Sequence, residues 1–318
     1  YPRTNGFVTF NSSSHSTIGT VANNVYSSSA PQYVEFVGGP HADPGGDFKS
    51  EPVAGPSQPG TSKANVYDTD FRRANNLEID PSFGNTVEFW MKKDGWVSTV
   101  SPRHETVFHT TPHGATGGAY GEYQLYVRGT TAGSIFLKIS SGSTDITNTF
   151  DTGLANIADS KWHHYAFTSK TSGSATELNF YVDGVHKSKV FNVSTINTVT
   201  GAMQAAVGAL AGQLSSSAGG QYAAAGWGNI TSASFDEFRF WKKERNAQQI
   251  GRNWRAQIAG GTNTDNVKYD DEQNFVDLGV YYKFNEGITG DASIDASVLD
   301  YSGRITNGTY VNYNKIGR

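Results

Sequence analysis

The chain of 318 residues carries a formal net charge of −4, is 36% hydrophobic and 13% aromatic, and holds 36 glycines and no cysteine. That charge balance, with no basic stripe, argues against the phosphate contacts on which nucleic-acid affinity rests, and the missing cysteines exclude disulfides and thiolate metal sites. No apolar run approaches a membrane span, and residue 1 is Tyr with no signal-peptide pattern behind it, so a processed chain or an excerpt of a longer one is expected.

Helix-forming runs are few, and Gly, Ser, Thr and Asn separate short alternating segments, so the class is all-β. With 18 Phe and 16 Tyr, the core is expected to be built from aromatics. Residues 1–32 contain one short alternation, Phe7-Val8-Thr9-Phe10, and read as an N-terminal arm. Tyr33-Val34-Glu35-Phe36 is the first convincing strand. The Gly-, Pro- and Ser-rich stretch 38–63 follows as a surface loop, in which His41, Asp43 and Asp47 are expected to be solvated or making Asx turns rather than holding a metal. Glu78 and Asp80 stand at a strand end, on its polar face, with Pro81 breaking the strand behind them.

Val87, Phe89 and Met91 then alternate with Glu88, Trp90 and Lys92, so one face is core, while Trp90 implies that the other is not simply solvent. Strands over 105–109, 123–127 and 135–139 come next. The glycine-rich segment 114–121 precedes a strand and lacks the Lys-Ser/Thr ending of a phosphate loop, so it reads as a rim loop. Residues 162–190 predict a three-stranded meander: two arms with aromatic or β-branched residues at every second position, then Asp183-Gly184 as a tight turn into 185–190. The adjacent His163 and His164 point to opposite faces, which favours hydrogen-bonded framework histidines over a shared metal ion. After the strand 235–241, Asn246 with Gln249 three residues on predicts a capped amphipathic helix ending at Gly260-Gly261.

Several of these segments carry a resemblance. Trp162-His163-His164 with Tyr181-Val182-Asp183-Gly184, the strand Thr86-Val87-Glu88-Phe89-Trp90-Met91-Lys92, Val207-Gly208-Ala209 and the closing Phe235-Asp236-Glu237-Phe238-Arg239-Phe240-Trp241 resemble, in order, the signature of the laminin G-like, or concanavalin A-like, jelly-roll family. The expected architecture is a two-sheet antiparallel sandwich over 33–260 with one short helix in its C-terminal half. Residues 261–318 form an extension that either closes the sandwich or begins a further unit. The phrase 278–290, with the loop 109–126, is similar to structural proteins of marine tailed bacteriophages.

On this fold, enzymes that cleave β-glucans align two glutamates and an aspartate as Glu-x-Asp-x-x-Glu on one strand face. Here the run Glu78-Ile79-Asp80-Pro81-Ser82-Phe83 replaces the second glutamate with Phe83. The chain is therefore expected to be a non-enzyme, with Glu88 paired with Glu105 or Asp183 as the competing catalytic carboxylates. Sugar rings stack their C–H faces on exposed aromatics, so Trp227, Tyr222, Tyr120 and Trp96 are the candidate carbohydrate contacts; the alternative is that they fold back onto the sandwich. The resemblance implies a structural calcium ion with Asp236 and Asp300 as acidic ligands, against the alternative that Asp236 accepts backbone hydrogen bonds. The expectation is thus a lectin-like virion-surface or extracellular module, with a cell-surface glycan or polysaccharide, or other virion subunits, as partners. The remaining alternative is a pure assembly protein that joins subunits through its arms.

Overall fold

The computed structural model describes residues 6–10, 32–38, 76–96, 104–112, 121–142, 144–199, 203–211, 227–258, 278–286, 289–302 and 306–313. These form two packed sheets. One runs in the order β1 (Val8–Phe10), β13 (Ala233–Trp241), β3 (Asn85–Lys93), β8 (Trp162–Ser172), β9 (Ala175–Val182), β10 (Val185–Asn192), with β14 (Leu278–Tyr282) also on β13. The nine-stranded sheet runs β15 (Ser297–Val298), β16 (Gly308–Val311), β2 (Tyr33–Val37), β11 (Met203–Val207), β4 (His104–Pro112), β5 (Gly121–Val127), β6 (Ser134–Ser141), β7 (Thr144–Asp151), with β12 (Trp227–Asn229) parallel to β4. The architecture is the expected all-β sandwich. The expected helix forms as α1 (Ala247–Asn253) but stops with Trp254 as its C-cap, short of the predicted end at Gly260-Gly261, and a one-turn helix, α2 (Ala292–Asp295), lies further on.

Aromatics fill the space between the sheets, as the composition requires. Phe108 of the nine-stranded sheet meets Phe238 of the other at 4.9 Å between ring centroids, Phe36 meets Tyr282 at 5.0 Å, and Phe150 meets Phe180 at 5.3 Å. The meander forms in the predicted order, β8 to β9 to β10. Its second turn holds Asp183 and Gly184 at φ of 52° and 75°, the pair of positive values that a two-residue hairpin demands. A Cβ at Gly184 would also lie 2.4 Å from the Trp254 ring, so the turn is pinned from outside. Helix α1 has the full capping box: Asn246 accepts from the Gln249 N–H and the Gln249 side chain accepts from the Asn246 N–H.

The chain ends are less peripheral than the sequence suggests. Val8 and Phe10, within the expected arm, are fully buried in β1 against β13. Further along the chain β14 extends the seven-stranded sheet by pairing with β13, and β16 pairs with β2.

Candidate functional site

The core positions Tyr123, Leu125 and Val127 leave Glu122, Gln124 and Tyr126 on the outer face of β5. Cross-strand register brings Phe136, Lys138 and Ser140 of β6 and Thr106 and His109 of β4 to the same face. A bulge between Thr106 and Phe108 lets Thr106 and His109 both face outward although they are an odd three positions apart.

One half of this face is aromatic. His104 stacks on Trp227 at 4.5 Å, Trp227 meets Tyr126 edge to face at 4.4 Å, and Tyr126 stacks on Phe136 at 4.8 Å. The Arg128 guanidinium covers Phe136 at 4.3 Å. The other half is polar. The Ala211 N–H donates to His109 Nδ1 at 2.9 Å, so His109 Nε2 carries the ring proton and donates to Glu122 Oε1 at 2.8 Å. Lys138 Nζ donates to Glu122 Oε2 at 3.0 Å. Between the two halves lies Gln124, fully buried, with neither carboxamide atom hydrogen-bonded, and Thr106 Oγ1 is likewise without a partner. A buried polar group left unpaired costs about 1–3 kcal/mol, so three such atoms on one face need an account.

Of the sequence-predicted contacts, Trp227 joins this face. Of the two arrangements open for it, exposed or folded back onto the sandwich, it takes the second: its own segment is small-residue, but His104 and Tyr126 come from other strands and leave it 8% exposed. Trp96 sits apart from the ladder, half-buried, with its indole N–H on Asn156 Oδ1 at 2.9 Å and the Lys93 ammonium 4.8 Å from the ring centroid. Tyr120, Tyr222, His41, Asp43 and Asp47 lie outside the described residues. Gln124, Thr106, Tyr126, Phe136 and His104 were not singled out from the sequence, because only the register of β4, β5, β6 and β12 shows that they share a face.

The carboxylates weighed as acids are each engaged. Glu88 faces the outside of β3, under α1, and accepts from Arg239 Nη1 at 3.3 Å and from the Trp241 indole at 2.8 Å, with His164 Nε2 at 3.5 Å. Burial opposes its charge, but the His164 hydrogen bond and the Arg239, Arg245 and His164 charges outweigh that and hold its carboxyl far below the usual range. Trp90, on the same outward row, is covered by Trp254 in a 5.3 Å stack. Glu105 accepts from buried Lys93 at 2.7 Å. Glu78, expected on a polar strand face, is instead buried 3.1 Å from Lys242, because that face turns into the core. Asp80 makes a turn, accepting from the Ser82 N–H and hydroxyl.

His163 and His164 face opposite sides, as alternation requires. His163 Nδ1 lies 2.8 Å from Asp183 Oδ2 and its Nε2 3.3 Å from Asp159 Oδ2, and the Asp183 hydrogen bond raises its pKa above 6.5. A raised pKa stabilises the fold below the unfolded value, and the contribution fades as pH rises through the folded value. In urea titrations the wild-type chain is therefore expected to lose part of its stability as pH rises through the folded pKa of His163, by no more than the roughly 0.2–1 kcal/mol of a partly exposed pair. His163→Asn should lack that decline.

The two expected calcium ligands stand in separate hydrogen-bond sets. Asp300 Oδ1 accepts from the Tyr281 and Ser302 N–H groups, and its Oδ2 accepts from the Ser302 hydroxyl and the Thr306 N–H. Asp236 is fully buried and accepts from the Glu237 N–H. A cation at Asp300 would have to displace these donors, so the pair as arranged does not fit a calcium site. Among the described residues no group of three His, Asp or Glu side chains is arranged to hold a metal.

Comparison with known proteins adds a family. The profile described as the concanavalin A-like lectin/glucanases superfamily matches residues 69–251. No curated protein matches the sequence. Among solved structures, the chain is similar to the heptameric SAP-like pentraxin of Limulus polyphemus at 15% identity and a TM-score of 0.37, covering 55% of this chain and 71% of that one. It is similar to domains LG4-5 of the mouse laminin α1 chain at 13% identity and a TM-score of 0.37, covering 54% of this chain and 40% of that one. For the CBM40 of the Ruminococcus gnavus IT-sialidase the values are 11% and 0.36, covering 61% and 86%.

Proposed function

Because this chain belongs to the concanavalin A-like lectin/glucanases superfamily, whose profile spans residues 69–251, we propose that it is a non-catalytic carbohydrate-binding module of a virion surface or appendage. Its partner is a cell-surface glycan or polysaccharide, bound on the outer face of the nine-stranded sheet. The observation that carries this reading is the Gln124 carboxamide, buried without partners between an aromatic ladder and the Glu122, Lys138 and His109 set. An apolar wall beside a few convergent polar groups is how sugar sites are built: rings cover the C–H face and an amide reads a pair of hydroxyls. The virion setting rests on the sequence reading of residues 278–290 and 109–126 alone, and many copies there would raise weak contacts to useful avidity.

The test is a glycan array followed by titration of the retained sugar. The wild-type chain should retain a glycan, and Gln124→Leu should weaken it about tenfold or more, the equivalent of losing one or two hydrogen bonds. Trp227→Ala and Trp96→Ala report the aromatic contribution, and a chelator arm reports calcium. An array with no retained glycan, or binding indifferent to both Gln124→Leu and Trp227→Ala, would sink the proposal. Turnover of a polysaccharide that is lost in Glu88→Gln would replace it with the enzyme reading.

A further inference from the structure

On the core side of the seven-stranded sheet a lysine, an asparagine and a glutamate meet away from water. Lys242 is fully buried, and Asn85 and Glu78 are nearly so. The pairing of β3 with β13 runs to Thr86 opposite Trp241. Asn85 and Lys242 are the next residues along the chain beside that last pair, and both are buried. Lys242 Nζ lies 3.1 Å from Glu78 Oε2. Asn85 Nδ2 donates to the Glu78 carbonyl at 2.8 Å and to the Trp241 carbonyl at 3.4 Å. Those bonds fix the amide plane and leave Asn85 Oδ1 buried with no hydrogen-bond partner.

We propose that Lys242 and Asn85 become joined by an intramolecular isopeptide bond, with Glu78 as proton carrier. Keeping an ammonium and a carboxylate in a dry core is costly, and moving one proton from Nζ to Glu78 converts the pair to a neutral amine and a carboxylic acid. The amine attacks Asn85 Cγ while the Glu78 acid hydrogen-bonds to Oδ1, the atom left without a partner, and stabilises the oxyanion that develops there. The tetrahedral adduct passes an Nζ proton to Nδ2, the Cγ–Nδ2 bond breaks, and ammonia leaves. One C–N bond forms and one breaks, nothing is oxidised or reduced, and Glu78 keeps the proton that Lys242 gave up.

Among the described residues a second buried lysine provides the contrast. Lys93 donates to Glu105 at 2.7 Å, but the residue opposite it on β13 is Ala233, which has no carboxamide to attack. The chemistry needs all three groups together, and the Lys242 cluster supplies them.

Intact-mass and tandem mass spectrometry of the purified chain test this. The wild-type mass should fall below that of the sequence by one ammonia, and proteolysis should yield a branched peptide joining Lys242 to Asn85. Lys242→Met and Asn85→Ala should restore the full sequence mass, and Glu78→Gln should slow or abolish the loss. A wild-type chain that is folded by circular dichroism yet has the full mass overturns the proposal. So does an ammonia deficit traced to a succinimide at an asparagine–glycine pair such as Asn307-Gly308. The wild-type mass decides even where a variant fails to fold.

Discussion

Replacing Glu88 with Ala should destabilise the folded chain by about 3–5 kcal/mol, the cost of breaking a buried ion pair from one side. The carboxylate is the shared acceptor of a layer that α1 seals: Arg239 and the Trp241 indole donate to it, and Arg239 continues to Glu237, which also accepts from the Tyr281 hydroxyl. Glu237 reaches this position because a bulge holds it at φ 53° between Asp236 and Arg239. Without Glu88, the Arg239 guanidinium keeps its charge and its burial but loses one of its two carboxylates. Glu88→Gln keeps the shape and can still accept from Trp241, so its loss should be smaller. Because the folded pKa of Glu88 is depressed, its contribution is present above the ordinary carboxylate value and is lost as pH falls toward the folded one. Urea titrations should therefore show the wild-type advantage over Glu88→Gln shrinking on acidification, and changing little with salt, since a buried pair is poorly screened.

A second large loss, also about 3–5 kcal/mol, is expected for Phe108→Ala. Phe108 is fully buried and packs on Tyr123 in its own sheet and on Phe238 and Phe240 across the core, so its removal opens a cavity where the two sheets meet. Here the loss should be independent of both pH and salt, and that difference separates apolar packing from the charged layer above it. Equal pH responses for Phe108→Ala and Glu88→Gln would refute the assignment of the Glu88 effect to charge.

Features set by neighbours along the chain were legible in the sequence. The meander followed from period-two alternation and Asp183-Gly184, and the helix start from Asn246 and Gln249, because both signals are local. The carbohydrate candidates were legible only in part. For Trp227 the sequence left exposure and folding back both open, because its covering rings belong to the distant His104 and Tyr126. Gln124 carried no signal at all, since an isolated glutamine on a strand becomes notable only when its neighbours on β4 and β6 are known. The buried charges failed for the same reason: Glu88 and Arg239 are 151 residues apart, and Glu78 looked like the polar side of a strand end until Lys242 was seen opposite.

The Tyr310 hydroxyl donates to the Thr9 carbonyl at 2.6 Å, and Phe10 packs on Tyr310. Strands from the two ends of the sequence therefore finish the sandwich side by side, and this orders events during synthesis. Residues 8–10 leave the ribosome long before β13 exists to receive them, and β2 must wait for both β11 and β16. Translation can complete the meander early, but the sandwich closes only once β16 has emerged to pair with β2. Refolding should accordingly be slow, on the order of milliseconds to seconds, the range for folds dominated by distant pairings. Until then the apolar edges of β2 and β13 stay open to whatever the cell supplies as a temporary cover.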